Sequence, residues 1–294
     1  MKKILCVFLA ILLAVSLCAC GSSKKDDDVV AEGTLEPQYY VEDEIVYSGF
    51  KDGLTNYPGD IDRSEFDPVT RIVAISGPVD PATLDKITAA ANTYASSCTF
   101  PNIDALLICG QVTGGNPDAL ASLGDYFENN LDDVTMPFVS PSTSEIQTLE
   151  AVWKDHIGFD IDRNIMINET RVISISPDET GSYSSKKGEL LDKITSVEET
   201  DKELPLIVMT GEENPVELLN TFEKHPQVVL VSSAKPTGDT AVHGKFTHIF
   251  VGDTSVYHVI EFDDLGRMLV IDIDESGKPI EGAEWFIQTP WKAE

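Results

Sequence analysis

The stretch Glu189–Thr210, ELLDKITSVEETDKELPLIVMT, joins a helical pattern to a strand and decides how the rest of the chain is interpreted. Its first half has apolar residues at the three- and four-residue spacing of an amphipathic helix. After Pro205, the apolar run Leu206–Thr210 has the length of a buried strand. The same order appears in Glu217–Ser232, where a helical pattern leads into the apolar run Val228–Ser232. These two units predict buried strands in an α/β fold.

The alternation of strands and helices extends over most of the chain. Short apolar runs bounded by Gly, Pro, Ser or Asn predict buried strands at Arg71–Ser76, Ala105–Cys109, Pro137–Ser140, Arg171–Ser176, Leu206–Thr210 and Val228–Ser232. Helical patterns between them predict helices at Pro81–Ser96, Pro117–Leu131, Glu145–His156, Lys187–Glu198 and Pro215–Lys224. Later segments separated by turns predict an antiparallel meander of Thr247–Val251, Val256–Phe262 and Met268–Asp274. The predicted fold class is α/β, with α+β character at the C-terminus.

The first residues have the form of a bacterial export signal. Lys2 and Lys3 precede an apolar run from Ile4 to Leu17, which is shorter than the ~20 residues that a membrane-spanning helix needs. The tetrad Leu17-Cys18-Ala19-Cys20 resembles the bacterial lipobox, which directs diacylglycerol transfer to its Cys and cleavage before it. The alternative is an ordinary signal peptide with a chance Cys. We expect a lipid on Cys20 and a location at the extracellular face of the bacterial cell membrane.

Composition and charge separate the remaining chain into regions and limit its partners. We expect a flexible tether over residues 21–38, an irregular extension over 39–68, and one large domain over 69–294, after the signal at 1–20. The formal net charge of -29 argues against nucleic acid as a partner. The expected partners are the membrane, through the lipid, and an unknown protein or polar ligand. Cys98 and Cys109 are expected to be buried free thiols, because a predicted strand separates them.

The order of these elements resembles the calcineurin-like metallophosphoesterase fold, a four-layer αββα sandwich. The resemblance covers roughly Arg71 to Gly277 and is carried mainly by Glu189–Thr210 and Glu217–Ser232. It implies loops at the strand ends that hold two divalent metals about 3.5–4 Å apart and activate water against a phosphate ester. The implied cofactor of an active member is a dinuclear manganese, iron or zinc site.

The residues at the metal-binding positions of that family have changed in this chain. Its Asp-x-His motif falls on Gly77-Pro78-Val79, and its Gly-Asp motif falls on Gly110-Gln111. Its third motif falls on Ser142-Thr143-Ser144-Glu145, and its histidine positions fall on Gly211 or Glu212 and on Ser233-Ala234-Lys235-Pro236. The positions without their expected ligand are Gly77, Val79, Gln111, Thr143, Ser144, Gly211, Ala234 and Pro236. The sequence therefore predicts an inactive scaffold that binds no metal and needs no cofactor.

Three functions remain open from the sequence. The first is a ligand- or partner-binding module that uses the former active-site rim, for which the candidate residues are Glu145, Glu212, Glu213, Lys235, Asp239 and His243. The second is an active metal-dependent phosphoesterase with a rearranged site that uses these acids and His243, near His248. The third is the solute-binding lipoprotein of a transporter, which would need two similar lobes and a hinge.

Overall fold

The computed structural model describes residues 35–41, 44–49, 54–56, 66–98, 100–131, 134–200, 205–236, 240–243, 246–264 and 266–287. The predicted signal, Cys20, and Asp239 lie outside these residues. No helix among the described residues has the length and apolar content to cross a membrane. Cys98 and Cys109 are both free, as predicted, although Cys98 is only half-buried.

The described chain contains five helices and fifteen strands. The helices are α1 (Pro81–Ser96), α2 (Pro117–Asn129), α3 (Thr143–Ile157), α4 (Lys187–Thr200) and α5 (Val216–Phe222). The strands are β1 (Leu35–Val41), β2 (Glu44–Gly49), β3 (Leu54–Asn56), β4 (Pro68–Ser76), β5 (Ala105–Gly110), β6 (Met136–Pro141), β7 (Arg163–Ile167), β8 (Thr170–Ser174), β9 (Leu206–Thr210), β10 (Val228–Ser232), β11 (Ala241–His243), β12 (Thr247–Phe250), β13 (Tyr257–Asp263), β14 (Met268–Ile273) and β15 (Pro279–Ile287).

Two large sheets organise these strands. A seven-stranded sheet has the order β3-β15-β14-β13-β4-β5-β6, in which β4, β5 and β6 are parallel and the other pairs are antiparallel. A six-stranded sheet has the order β11-β12-β10-β9-β8-β7, with parallel neighbours from β12 to β8 and antiparallel strands at both edges. A separate antiparallel pair joins β1 and β2.

Three apolar layers hold the sheets and helices together. Successive residues of a strand point to opposite faces, so β4 sends Val73 toward α1, α2 and α3, and Ile72 toward the other sheet. The layer between the sheets also contains Phe138 and Val231. The third layer packs α4 and α5, through residues such as Ile194, on the outer face of the six-stranded sheet. The architecture is therefore the predicted four-layer αββα sandwich.

The predicted antiparallel meander is wrong at its first member. The segment Thr247–Phe250 pairs in parallel with β10 and antiparallel with β11, so it belongs to the six-stranded sheet. Only β13 and β14 of the predicted three form an antiparallel pair, which β15 extends. Every residue of β12 is buried. A fully buried apolar run carries no period-2 signal that would distinguish a parallel from an antiparallel neighbour.

Candidate functional site

A cleft of about 520 Å³ lies where strands of both sheets end. Its wall is formed by the loops that follow β4, β5 and β6 in one sheet and β9, β10 and β12 in the other. Ligands of open α/β sheets bind at the carboxyl ends of strands, which is the position of this cleft. The following sequence-predicted residues lie in its wall: Gly77, Gln111, Thr143, Ser144, Gly211, Glu212, Glu213 and Lys235.

Three of the other candidate residues, Val79, Ala234 and Pro236, do not line the cleft. Val79 packs in the layer under α1, α2 and α3, and Ala234 packs in the layer under α4 and α5. Pro236 is half-buried outside the cleft wall. His243 is the last residue of β11, and the description does not extend to its side chain. The positions of Val79, Ala234 and Pro236 give no support to a shared site with the cleft.

Glycine backbone fills the floor of the cleft. A Cβ atom at Gly77 would lie 2.2 Å from the carbonyl oxygen of Gln111, and one at Gly211 would lie 2.2 Å from that of Ser140. A Cβ at Gly252 would lie 2.4 Å from the carbonyl oxygen of Ser233. Because the obstacles are backbone atoms, they cannot rotate away. This packing of the strand ends excludes any side chain at position 77, where the resembled family has a metal ligand.

Glu145 was predicted as a rim residue, but it points into the protein and is buried. Its Oε2 accepts a hydrogen bond from the Val112 N–H at 2.5 Å, and its Oε1 accepts from the Thr113 and Gly115 N–H groups at 2.7 and 3.1 Å. The Thr113 hydroxyl donates to the same Oε1 at 3.1 Å. The carboxylate therefore holds the loop after β5, and it is not free to meet a ligand in the cleft.

The local sequence would have predicted a different contact for Glu145. Ser142 and Glu145 have the S-x-x-E spacing of a capping box, in which the acid would return to the backbone of the helix start. Ser142 makes no side-chain cap hydrogen bond, and the acid binds the neighbouring loop instead. Gly110, Gly114 and Gly115 all have positive φ, so they curl that loop and turn its N–H groups inward.

The Glu212 carboxylate is also hydrogen-bonded within the protein, although it lies in the cleft wall. Its Oε1 accepts from the Thr143 N–H at 2.6 Å and from the Thr143 hydroxyl at 2.7 Å. Thr143 is the first residue of α3, so the carboxylate lies at the positive end of the helix dipole. Glu213 and Lys235 are exposed, and they carry the remaining charges of the wall.

The donor set of the cleft does not fit a pair of divalent cations. Two dications about 3.5–4 Å apart need several carboxylate or imidazole ligands, because their mutual repulsion is large at that distance. The wall offers Glu212, already bound to Thr143, and the exposed Glu213. Among the described residues there is no group of three His, Cys, Asp or Glu side chains arranged to hold a metal ion.

Each of the two large sheets contains a buried histidine that forms a hydrogen bond, His248 on β12 and His258 on β13. His248 is buried, and its Nε2 lies 2.8 Å from the Ser232 hydroxyl. His258 lies on β13, within the predicted strand Val256–Phe262, and its Nδ1 is 2.7 Å from Asp272 Oδ1. The Thr240 hydroxyl donates to Asp272 Oδ2 at 2.6 Å and so links the two sheets. Sequence reasoning missed this network, because no spacing rule connects residues of three separate strands and loops.

The stability of the protein is expected to fall on acidification because His248 stays neutral when folded. Burial lowers its pKa from the ordinary 6.5 to about 3. Between these values the unfolded chain binds a proton that the folded chain does not, so stability is fully present above pH 6.5 and declines as the pH falls. From about pH 6.5 to 4.5 the loss reaches up to about 3 kcal/mol.

Urea denaturation at several pH values would measure this loss, with His248→Gln as the matched variant. Glutamine keeps a polar partner for Ser232 but does not titrate. We expect a shallower pH dependence in the variant, because its other titrating groups are the same. Parallel curves for the two proteins would contradict the assignment.

Comparison with known proteins identifies the fold. No protein-family model and no curated protein matches this sequence. The structure is similar to the purple acid phosphatase PPD1 of yellow lupin (Lupinus luteus), with a TM-score of 0.52, 10% identity, and coverage of 86% of this chain and 59% of that chain. It is also similar to GAP50, described as the anchor in the inner membrane complex of Plasmodium, with a TM-score of 0.53, 11% identity, and coverage of 78% and 90%. The chain thus spans little more than half of the lupin enzyme and has a mixed α/β fold similar to that of purple acid phosphatase.

Proposed function

We propose that this chain is a lipid-anchored bacterial surface protein whose metallophosphoesterase-like domain binds a polar ligand or a protein partner without hydrolysing it. The observation that carries the proposal is the lining of the strand-end cleft. The cleft lies at the strand ends of a fold similar to that of purple acid phosphatase, and its wall consists of glycine backbone, hydroxyls, amides and one exposed charge of each sign, Glu213 and Lys235. Such a surface suits hydrogen-bonded recognition better than activation of water.

The two carboxylates that hydrolysis would need most are engaged elsewhere. A rearranged metal site would recruit Glu145 and Glu212, since they are the acids nearest the ends of β5 and β9. Releasing Glu145 would leave the buried N–H groups of Val112 and Thr113 and the half-buried one of Gly115 unpaired, and releasing Glu212 would uncover the start of α3. Each unpaired buried group costs about 1–3 kcal/mol. This cost weighs against the alternative of an active phosphoesterase.

The structural neighbours are compatible with a binding role. One is a phosphatase, and the other is described as an anchor in a membrane complex. The fold is therefore compatible with both catalysis and binding. The choice between them depends on the residues that line the cleft. The single αββα sandwich of residues 66–287 also differs from the two similar lobes expected of a transporter's solute-binding protein.

The lipid anchor rests on the sequence of the first residues. Lys2, Lys3, the apolar run to Leu17 and the tetrad ending at Cys20 support it. In a bacterial host, the chain is expected in the membrane fraction, and Cys20→Ser is expected to abolish labelling by a radioactive fatty acid. Labelling that persists in the variant would contradict anchoring at Cys20.

A metal and turnover assay tests the proposed lack of catalysis. We expect the purified chain to contain no stoichiometric manganese, iron or zinc by elemental analysis. We also expect no chelator-sensitive hydrolysis of bis(4-nitrophenyl) phosphate when manganese is added. A bound transition metal together with turnover that the chelator abolishes would overturn the proposal and favour an active phosphoesterase.

A further inference from the structure

The two large sheets have four edge strands, and three of them are protected against pairing with another chain. An unpaired edge presents a row of N–H and C=O groups, which proteins commonly protect with very short strands or with proline. The strands β3 and β11 have three residues each. The strand β6 contains Pro137 and Pro141, which have no N–H, and the Pro137 carbonyl oxygen accepts from the Arg163 side chain. The fourth edge strand, β7, has five residues and contains no proline.

The open side of β7 presents the backbone groups of Asn164 and Met166. A two-residue turn joins β7 to β8, and Ile167 pairs with Thr170 next to this turn. In such a hairpin the pair next to the turn, and every second pair after it, exchanges N–H···O bonds between the strands. The Arg163 N–H agrees with this pattern, because it donates to a serine hydroxyl of β8 at 3.0 Å. The N–H and C=O groups of Asn164 and Met166 therefore point away from β8.

Exposed apolar side chains lie on the same side of the protein. Three large hydrophobic side chains of the described residues are exposed: Met166 on β7, Met136 on β6, and Val134 just before β6. Arg163 connects the two strands, because its guanidinium lies 3.4 Å from the Met136 sulfur. Apolar side chains that are exposed close together are typical of interaction surfaces. This side of the protein therefore has both an open strand and apolar surface to cover.

The charge around β7 favours a second copy of the chain over a cationic partner. The whole chain has a net charge of -29, but β7 itself carries only the charge of Arg163. Just before β7, Asp160 pairs with Lys154 at 2.8 Å. Asp162 pairs with Lys186 at 2.7 Å. The strand thus offers no excess negative charge to attract a basic segment, and two copies can meet along it without unpaired like charges facing each other.

We propose that two copies of this chain associate through antiparallel pairing of their β7 strands, which joins their six-stranded sheets into one. The pairing that uses the outward backbone groups places Asn164 of each copy opposite Met166 of the other. Ile165 then faces its own equivalent at the two-fold axis. This register forms about four backbone hydrogen bonds and covers part of both Met166 side chains. The proposal is independent of the function of the strand-end cleft.

Amide hydrogen exchange of the purified chain at about 5 μM and about 1 mM tests the proposal. We expect the Asn164 and Met166 amides to exchange at least about tenfold more slowly at the higher concentration, because the second copy gives them acceptors. The amides of β3, at the far edge of the other sheet, are the internal control and should exchange equally at both concentrations. Exchange of Asn164 and Met166 that does not depend on concentration would overturn the proposal.

Disulfide cross-linking of the full chain tests the register. Ile165→Cys places two thiols directly opposite each other, whereas Met166→Cys places them on a diagonal that is too long for an unstrained disulfide. We expect the first variant to form covalent dimers at least about fivefold faster than the second, with the wild type and its own cysteines as the background. Equal rates in the two variants would overturn this pairing.

A substitution at the exposed Met166 tests the contact without disturbing the core. Met166→Lys, added to Ile165→Cys, should slow cross-linking about tenfold, because it places a charge on the paired edge. The matched change Met166→Leu keeps an apolar side chain and should leave the rate unchanged. If Met166→Lys had no effect, β7 would not be the contact. Protection of the Asn164 and Met166 amides that appears only when an extended peptide of another sequence is added would overturn the second copy as the occupant.

Discussion

Replacing Arg71 by methionine is expected to lower the free energy of unfolding by about 3–5 kcal/mol. Arg71 is fully buried between the seven-stranded sheet and α1, and its Nε donates to Glu261 Oε1 at 2.5 Å. A second guanidinium nitrogen donates to the carbonyl oxygens of Phe100 and Asn102. The variant would leave the Glu261 carboxylate buried with the Tyr94 hydroxyl, at 3.3 Å, as its remaining donor among these groups. Urea denaturation at neutral pH measures the loss.

The double variant Arg71→Met, Glu261→Leu is the control for this prediction. It removes both charges, so no ion remains buried without a partner. We expect it to recover at least half of the stability that the single variant loses, so that the double variant loses less than the sum of the two single-variant losses. A double variant as unstable as the two single variants combined would show that the side chains matter through their volume and not through their charge.

The sequence predicted best those elements whose ends carry strong local signals. The boundaries of α1 were predicted without error, because Pro81 opens the helix and Asp80 caps it, with its carboxylate accepting the Thr83 N–H at 2.7 Å. The strands β9 and β10 were also predicted without error, since both are continuous apolar runs between turns. Local chemistry is therefore enough to indicate where these elements begin and end.

Two of the missed strands, β7 and β15, contact solvent at a sheet edge or near it. The strand β7 alternates between exposed and half-buried residues and is the edge of the six-stranded sheet. The strand β15 is interrupted by Gly282, which has a positive φ, and carries acids on its exposed face. Both have too few apolar residues to stand out as strands, because their stability comes from pairing with a neighbour that is remote in sequence.

The position of the candidate site was predictable, whereas the direction of its side chains was not. Parallel strands bring their carboxyl ends to one edge, so the convergence of the loops around Gly77, Gln111 and Gly211 followed from the order of elements. The roles of Glu145 and Glu212 depend on which N–H groups the folded loops present. That information arises only when separate loops pack against each other.

Replacing Glu145 by alanine is expected to lower the free energy of unfolding by about 3–5 kcal/mol and to loosen the loop after β5. The carboxylate accepts from the N–H groups of Val112, Thr113 and Gly115, and each would lose its charged partner; the first two are buried and the third is half-buried. Hydrogen bonds to charged groups contribute about 1.5–3 kcal/mol each, and water entering the vacated space would replace part of the total. Glutamine should rescue little, because both oxygens accept N–H groups and its amide nitrogen would face a donor.

Amide hydrogen exchange combined with urea denaturation distinguishes this role from a general loss of stability. In the variant, the amides of Val112, Thr113 and Gly115 should exchange faster than the global stability predicts, whereas those of β9 should follow it. Glu150→Gln, on the exposed face of the same helix, is the matched control and should leave both quantities unchanged. If the three amides kept their protection in Glu145→Ala, the carboxylate would not be what holds the loop, and Glu145 would again be available as a ligand of the cleft.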